Sequence, residues 1–115
     1  MKTNFWQKMN VTGGEWKGLH GDGVDRRGNV HIVANSKTIA ILNKNESANA
    51  QIIATAPEMA EALIEVLIRR EEEYEGLGGP LWDERFSDDY GHLIAILEKA
   101  FGRPWAEIKG AYLDE

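Results

Sequence analysis

The sequence predicts an α+β fold: a small antiparallel β-meander of three or more strands followed by three or four α-helices. Three observations carry that expectation. Short β-branched runs alternate with turn-forming residues between positions 14 and 43. From position 47 the apolar residues recur instead at spacings of three and four. Prolines and glycines then punctuate the second half at intervals suited to helix ends.

Residues 1–10 read as a leader or edge segment in which Phe5 and Trp6 dock on something. The meander occupies 14–43, with Glu15–Leu19 as its first strand. Val30-His31-Ile32-Val33-Ala34 and Thr38-Ile39-Ala40-Ile41-Leu42 supply the next two, because branched side chains fit a pleated, half-buried surface. Turn chemistry lies between the runs, in Gly21-Asp22-Gly23 and Arg26-Arg27-Gly28-Asn29, and the last strand follows after Asn35-Ser36-Lys37.

The helical part occupies 47–115. Ser47 or Asn45 can cap a helix that runs through Thr55, and Pro57, with no N–H to lose, suits the first turn of a second helix. Met59, Leu63, Val66 and Leu67 form one apolar stripe, flanked by Ile64 and Ile68, so this helix is expected to bury two faces. Glu65 and Arg69 make an i,i+4 pair, and Gly76 stops the helix. Residues 76–87 read as a loop carrying Trp82 and Phe86. Another helix starts near Ser87–Asp89, buries Leu93, Ile94, Leu97 and Phe101, and stops at Gly102. Pro104 opens a last piece through Leu113 with Trp105, Ile108 and Tyr112 on one side.

At 115 residues the chain is expected to be a single domain, 1–115, with one modest core. No apolar run approaches the roughly 18 residues that span a bilayer, and Met1–Asn10 lacks the apolar centre of a signal peptide, so no membrane association is expected. The absence of cysteine removes disulfides, thiol nucleophiles and cysteine-based zinc sites, and fits a reducing cytoplasm. Net charge is −6, unevenly spread: residues 1–56 hold seven Lys/Arg against four Asp/Glu, residues 57–115 six against fifteen. An acidic half argues against duplex nucleic acid, which needs a basic face to displace its counterions.

Little in the chain carries chemistry. His20, Asp22 and Asp25 sit in a glycine-rich turn without metal-ligand spacing, His31 alternates with Ile32 on a strand, and His92 opens a helix. Gly76-Leu77-Gly78-Gly79 has the glycines of a phosphate loop, but no strand precedes it and no Gly-Lys-Ser/Thr follows. The run Glu71-Glu72-Glu73 with Glu75 is either a solvated surface or an acidic face for a basic partner. With no paired-carboxylate setting, Ser–His–Asp order or zinc motif, no enzyme, no metal and no cofactor are expected.

Four tryptophans in a chain this small exceed what regular apolar stripes absorb, which leaves core, oligomer-interface and ligand-stacking uses open. Trp82 with Arg85 and Arg103 with Trp105 are the aromatic–cation pairs best suited to a nucleotide, the ring stacking on a base while guanidinium binds phosphate. Trp16 joins them as a candidate ligand-binding residue.

Two landmarks resemble a family of small phage- and prophage-encoded proteins. Thr12-Gly13-Gly14-Glu15-Trp16 is similar to its threonine-proline-glycine-proline-tryptophan opening, with neither proline present. Ala48-Asn49-Ala50-Gln51-Ile52-Ile53-Ala54-Thr55-Ala56-Pro57-Glu58-Met59 with Glu61-Ala62-Leu63 follows its second landmark. The resemblance covers roughly residues 12–68 and leaves 69–115 without a counterpart. It implies a phage accessory protein acting in the host bacterial cytoplasm, where such proteins often counter host defence.

Three functions follow as expectations. The first is a non-enzymatic, homo-oligomeric sponge for a small anionic nucleotide, by analogy of size, mixed fold and missing catalytic residues with proteins that capture immune signals. The second is an acidic inhibitor of a host defence or nucleic-acid-binding protein. The third is a structural or regulatory phage protein without a ligand.

Overall fold

Alternation of burial along Val30–Ala34 shows how the sheet is organised: Val30, Ile32 and Ala34 are buried, while His31 and Val33 are half-buried on the other face. The computed structural model describes residues 3–19 and 27–114. Among these, the elements in chain order are α1 (Thr3–Lys8), β1 (Lys17–Leu19), β2 (Val30–Ala34), β3 (Lys37–Leu42), α2 (Ser47–Leu77), α3 (Trp82–Phe101) and α4 (Trp105–Leu113). The strands pair in the order β1-β2-β3, antiparallel throughout, so the expected α+β architecture is observed. No helix among the described residues is long and apolar enough to cross a membrane. The chain forms two compact units, Met1–Met59 and Ala60–Glu115, and the boundary between them falls inside α2.

In the first unit, residues 3–8 form a helix rather than a loose leader. Phe5 and Trp6 are buried, as expected of docking residues, with their rings edge-to-face at 5.2 Å. Six residues are too few for a helix to persist on propensity, so burial of these rings holds it. β1 is shorter than the expected Glu15–Leu19 because the chain before it is clipped in another way. The Trp16 indole N–H donates to the Thr12 carbonyl at 2.9 Å, and the Asn35 amide donates to the Gly13 carbonyl at 2.9 Å. Gly14 lies between these bonds at φ 86°, where a Cβ would stand 2.6 Å from Asn35 Oδ1.

Asn35 and Ser36, at φ 48° and 65°, make the two-residue turn between β2 and β3, and positive φ at both positions matches the twist of a hairpin. Ile32 pairs with Ala40 but Val33 with Thr38, so Ile39 is an extra, bulged residue. The bulge lets two consecutive residues, Ile39 and Ala40, pack on the cluster of Val30, Ile32 and Ala50, joined by Trp16, Leu42, Ile53 and Ala54. The inner face of the sheet is thus closed by the first turns of α2. The expected turn at Gly21-Asp22-Gly23, the start of the turn at Arg26, and the His20, Asp22 and Asp25 group lie outside the described residues.

Neither Asn45 nor Ser47 organises the start of α2 as expected. Asn43 does so by accepting from the Asn45 N–H at 2.9 Å, while Glu46 reaches back to the Asn43 N–H at 3.1 Å. The helix then runs unbroken for 31 residues with Pro57 inside it, where two helices were expected. Pro57 deprives the Ile53 carbonyl of its donor, a defect of about 3 kcal/mol in a helix interior. Burial before and after it, at Ala50 and Pro57 and then at Ile64 and Leu67, outweighs one lost bond.

In the second unit the buried face of α2 is Ile64, Leu67 and Ile68; Met59 and Val66 of the expected stripe are exposed. The helix ends at Leu77, with Gly78 just beyond at φ 73°, rather than at Gly76. α3 begins at Trp82 rather than near Ser87, so the connecting loop is only residues 78–81 and His92 lies within the helix, exposed. Of the four α3 residues expected in the core, Leu97 is buried and Leu93, Ile94 and Phe101 are half-buried. Gly102, in the left-handed region at φ 66°, closes the helix with its N–H on the Glu98 carbonyl.

The Glu98 carboxylate also accepts from the Trp105 backbone N–H at 2.8 Å and so caps α4. Pro104 stands just before that helix as its N-cap, with the Ile108 N–H donating to its carbonyl at 3.1 Å. Trp105, Ile108 and Tyr112 are buried on one side of α4, as expected.

Candidate functional site

The four-residue turn between α2 and α3 brings the end of one helix beside the start of the next. Tyr74, Leu77 and Gly78 from α2 and its end, with Trp82, Arg85, Asp88 and Asp89 from α3, line a cleft of about 270 Å³. Trp82, Arg85 and Asp88 or Asp89 recur at three- and four-residue spacing, which sets them along one face of α3.

An aromatic cluster of buried Phe86 with half-buried Tyr74 and Tyr90 adjoins the cleft through Tyr74. The Phe86 and Tyr90 rings lie 5.4 Å apart, and Tyr74 meets them edge-on at 5.7 and 5.8 Å. The Tyr74 hydroxyl donates to Asp89 Oδ2 at 2.5 Å, joining the two helices through side chains. That hydrogen bond, then partial burial, then the Asp89 charge push the Tyr74 phenol up to about 12. Beside the cluster Arg70 pairs with Glu73 at 2.8 Å, and the hydrogen bond followed by the Glu73 charge raises its pKa further.

Charge within the cleft is asymmetric in use. Asp89 is occupied by Tyr74. Arg85 and Asp88 have no side-chain hydrogen bond or ion pair among the described residues, although they line the same cleft. Trp82 is half-buried, with part of its ring accessible. The cleft therefore presents an aromatic face, a guanidinium free to bind an anion and a carboxylate free to accept hydrogen bonds.

The second expected pair is arranged differently. Arg103 is engaged by Glu107, one turn along. Trp105 is 8% exposed, and its indole N–H points to Glu71 Oε2 at 3.4 Å. Glu71 also receives Lys109, and Glu65 accepts from the Tyr112 hydroxyl at 2.5 Å. Three donors of α4 thus end on two carboxylates of α2. Trp16 belongs to the first unit, half-buried against the sheet core with its N–H on Thr12.

Sequence reasoning joined Trp82 to Arg85 but missed Tyr74, Leu77, Asp88 and Asp89. Tyr74 and Asp89 are 15 residues apart and meet only because the loop is so short. An available signal was Trp82, Phe86 and Tyr90 at four-residue spacing with Asp83 and Glu84 in the first turn, a helix start rather than a loop. Among the described residues no group of three His, Asp or Glu could hold a metal ion. The other hollows include one along Ala48, Gln51, Ile52, Thr55 and Met59, which carries no charged side chain.

A family model described as Salmonella phage P22 protein Y8K6 matches residues 1–104. The chain belongs to this phage protein family, and the match takes in residues 69–104, which lie beyond the resemblance visible in the sequence. No curated protein and no solved structure matches the chain.

Proposed function

We propose that this member of the Salmonella phage P22 protein Y8K6 family is a counter-defence protein, a non-enzymatic sponge that sequesters a small nucleotide-derived immune signal in the Trp82–Arg85 cleft. One observation carries this reading: an arginine without a side-chain partner among the described residues lines a cleft beside a half-buried tryptophan. Arg70 and Arg103 in the same unit are ion-paired. Arg69, like Arg85, has no side-chain partner among the described residues but lines a different hollow with Glu65, Glu72 and Tyr112, so what marks Arg85 is the tryptophan in its cleft. The cleft volume, about 270 Å³, is near the roughly 300 Å³ lower end of small-molecule sites, the scale of a single nucleotide. In this proposal the base stacks on Trp82 and a phosphate takes a bidentate bond from Arg85. The protein works in the host bacterial cytoplasm as a homo-oligomer, and exposed Ile52 and Met59 on α2 offer apolar surface for assembly.

Titration calorimetry against cyclic nucleotides and ADP-ribose derivatives tests this. Binding is expected, with Trp82→Ala and Arg85→Ala each weakening it by about tenfold or more, since stacking on one ring contributes about 1–3 kcal/mol. Absence of heat across the panel rejects the sponge.

A second reading has its own support. Residues 57–115 hold fifteen Asp/Glu against six Lys/Arg, and Asp88 has no partner among the described residues, which suits an inhibitor that occupies a basic site on a host protein. Such a complex should form at low salt and dissociate as salt rises, because exposed charge pairs are screened. A host protein retained equally at low and high salt argues against it.

A further inference from the structure

We infer that Asp88 makes the cleft selective for nucleotides with a single phosphate over those with a di- or triphosphate, an inference that rests on the nucleotide reading above. Arg85 and Asp88 are three residues apart on α3 and line the same cleft, yet no ion pair joins them. Spacing does not prevent one, because Arg70 and Glu73 at the same separation on α2 pair at 2.8 Å. The neighbouring carboxylate, Asp89, accepts the Tyr74 hydroxyl at Oδ2, which leaves Asp88 as the carboxylate of the cleft with no side-chain partner among the described residues.

A ligand that satisfies both groups must bring an anion for Arg85 and hydrogen-bond donors for Asp88. A nucleoside monophosphate or cyclic mononucleotide has both, with one phosphate for the guanidinium and sugar hydroxyls or an exocyclic amine for the carboxylate. Further phosphates find no second cation lining the cleft and meet the Asp88 charge instead. Two additional negative charges about 6 Å from a carboxylate, in near-bulk water, weaken binding by about tenfold.

The test uses the four ribonucleoside monophosphates, their 3′,5′-cyclic forms and the four triphosphates, without divalent cations, against the full chain and Asp88→Asn. Calorimetry and quenching of tryptophan fluorescence give the affinities. Asp88 is exposed, so the variant should keep the far-UV circular dichroism of the parent. The expected result is a preference of about tenfold for monophosphates or cyclic forms in the parent, reduced to about twofold in Asp88→Asn mainly through tighter triphosphate binding. Triphosphates binding the parent as tightly as monophosphates, or a preference unchanged in Asp88→Asn, overturns the inference while leaving nucleotide capture intact. If nothing in this panel binds the parent, the selectivity inference is overturned, while nucleotide capture itself stands or falls with the cyclic-nucleotide and ADP-ribose titrations above.

Discussion

Removing the Glu71 carboxylate should loosen α4 far more than removing its neighbour Glu72, although the sequence presents both in the same acidic run. Glu71 is 16% exposed at its side chain and receives Lys109 Nζ, itself 32% exposed. Its other oxygen faces the Trp105 indole N–H at 3.4 Å. Exposed ion pairs contribute about 0.2–1 kcal/mol, whereas breaking a buried one costs about 3–5 kcal/mol. The burial of this pair lies between those limits, so Glu71→Ala should cost about 2 kcal/mol. In a domain of this size that corresponds to about 8 °C in Tm. Glu72 is exposed with no side-chain partner among the described residues, and Glu72→Ala should stay within about 0.5 kcal/mol. Urea unfolding followed by tryptophan fluorescence and circular dichroism measures both. A cycle with Lys109→Ala should give a coupling of about 1 kcal/mol. Equal losses in Glu71→Ala and Glu72→Ala, or zero coupling to Lys109, would show that the run is uniformly solvated and refute the assignment of Glu71 to the packing of α4.

Gly14→Ala should destabilise the protein by about 1–3 kcal/mol in thermal unfolding, since the new Cβ requires a positive φ and meets the Asn35 amide; a change below about 0.5 kcal/mol contradicts the clip. Tyr74 should ionise near 12 in the folded protein, seen as a late rise in tyrosinate absorbance, and Asp89→Ala should move it back toward 10. A phenol whose pKa is raised on folding favours the native state fully below pH 10, and that contribution is lost as pH rises through the 10–12 window. Asp89→Ala should therefore flatten the fall of stability in that window. Trp105→Phe keeps most of the ring but removes the indole N–H, and should cost about 1 kcal/mol by denaturant unfolding; a loss of about 3 kcal/mol would mean that shape, not the bond to Glu71, dominates there.

Much of the fold was legible because local pattern and tertiary environment agree. Val30–Ala34 alternates in sequence and in burial, and Gly102 ends α3 where a left-handed residue is needed. Disagreement appears where the pattern is ambiguous. Met59, Leu63, Ile64, Val66, Leu67 and Ile68 surround α2 with apolar side chains, so periodicity alone could not choose Ile64, Leu67 and Ile68 as the buried set. Pro57 reads locally as a helix start, and only burial on both sides of it explains an uninterrupted helix. The bulge at Ile39 is a property of pairing with β2, which no single strand reveals. At the site, Trp82 and Arg85 were legible as neighbours. Arg103 and Trp105 are also neighbours, but Pro104 turns the chain into α4, where Trp105 enters the buried face and Arg103 meets Glu107.

The acidity of the second half acquires a physical meaning once the hydrogen bonds are followed. Glu65, Glu71, Asp89 and Glu98 each accept from a donor on another helix, and Glu73 and Glu107 pair with nearby arginines, so part of the negative charge ties helices and aromatic rings together instead of only facing solvent. That field has a consequence for Arg85. A single guanidinium cannot draw anions in from a distance where residues 57–115 hold fifteen Asp/Glu against six Lys/Arg, because the summed charge opposes their approach. In the proposed site its attraction would act at contact range, where bidentate geometry and stacking on Trp82 would outweigh the screened far field. Under the proposed nucleotide reading, an anion held there would be selected for a flat ring and a compact charge together, and a highly charged ligand would be disfavoured before it arrives. The same surroundings that make Arg85 a poor general anion trap would thus make the proposed site discriminating.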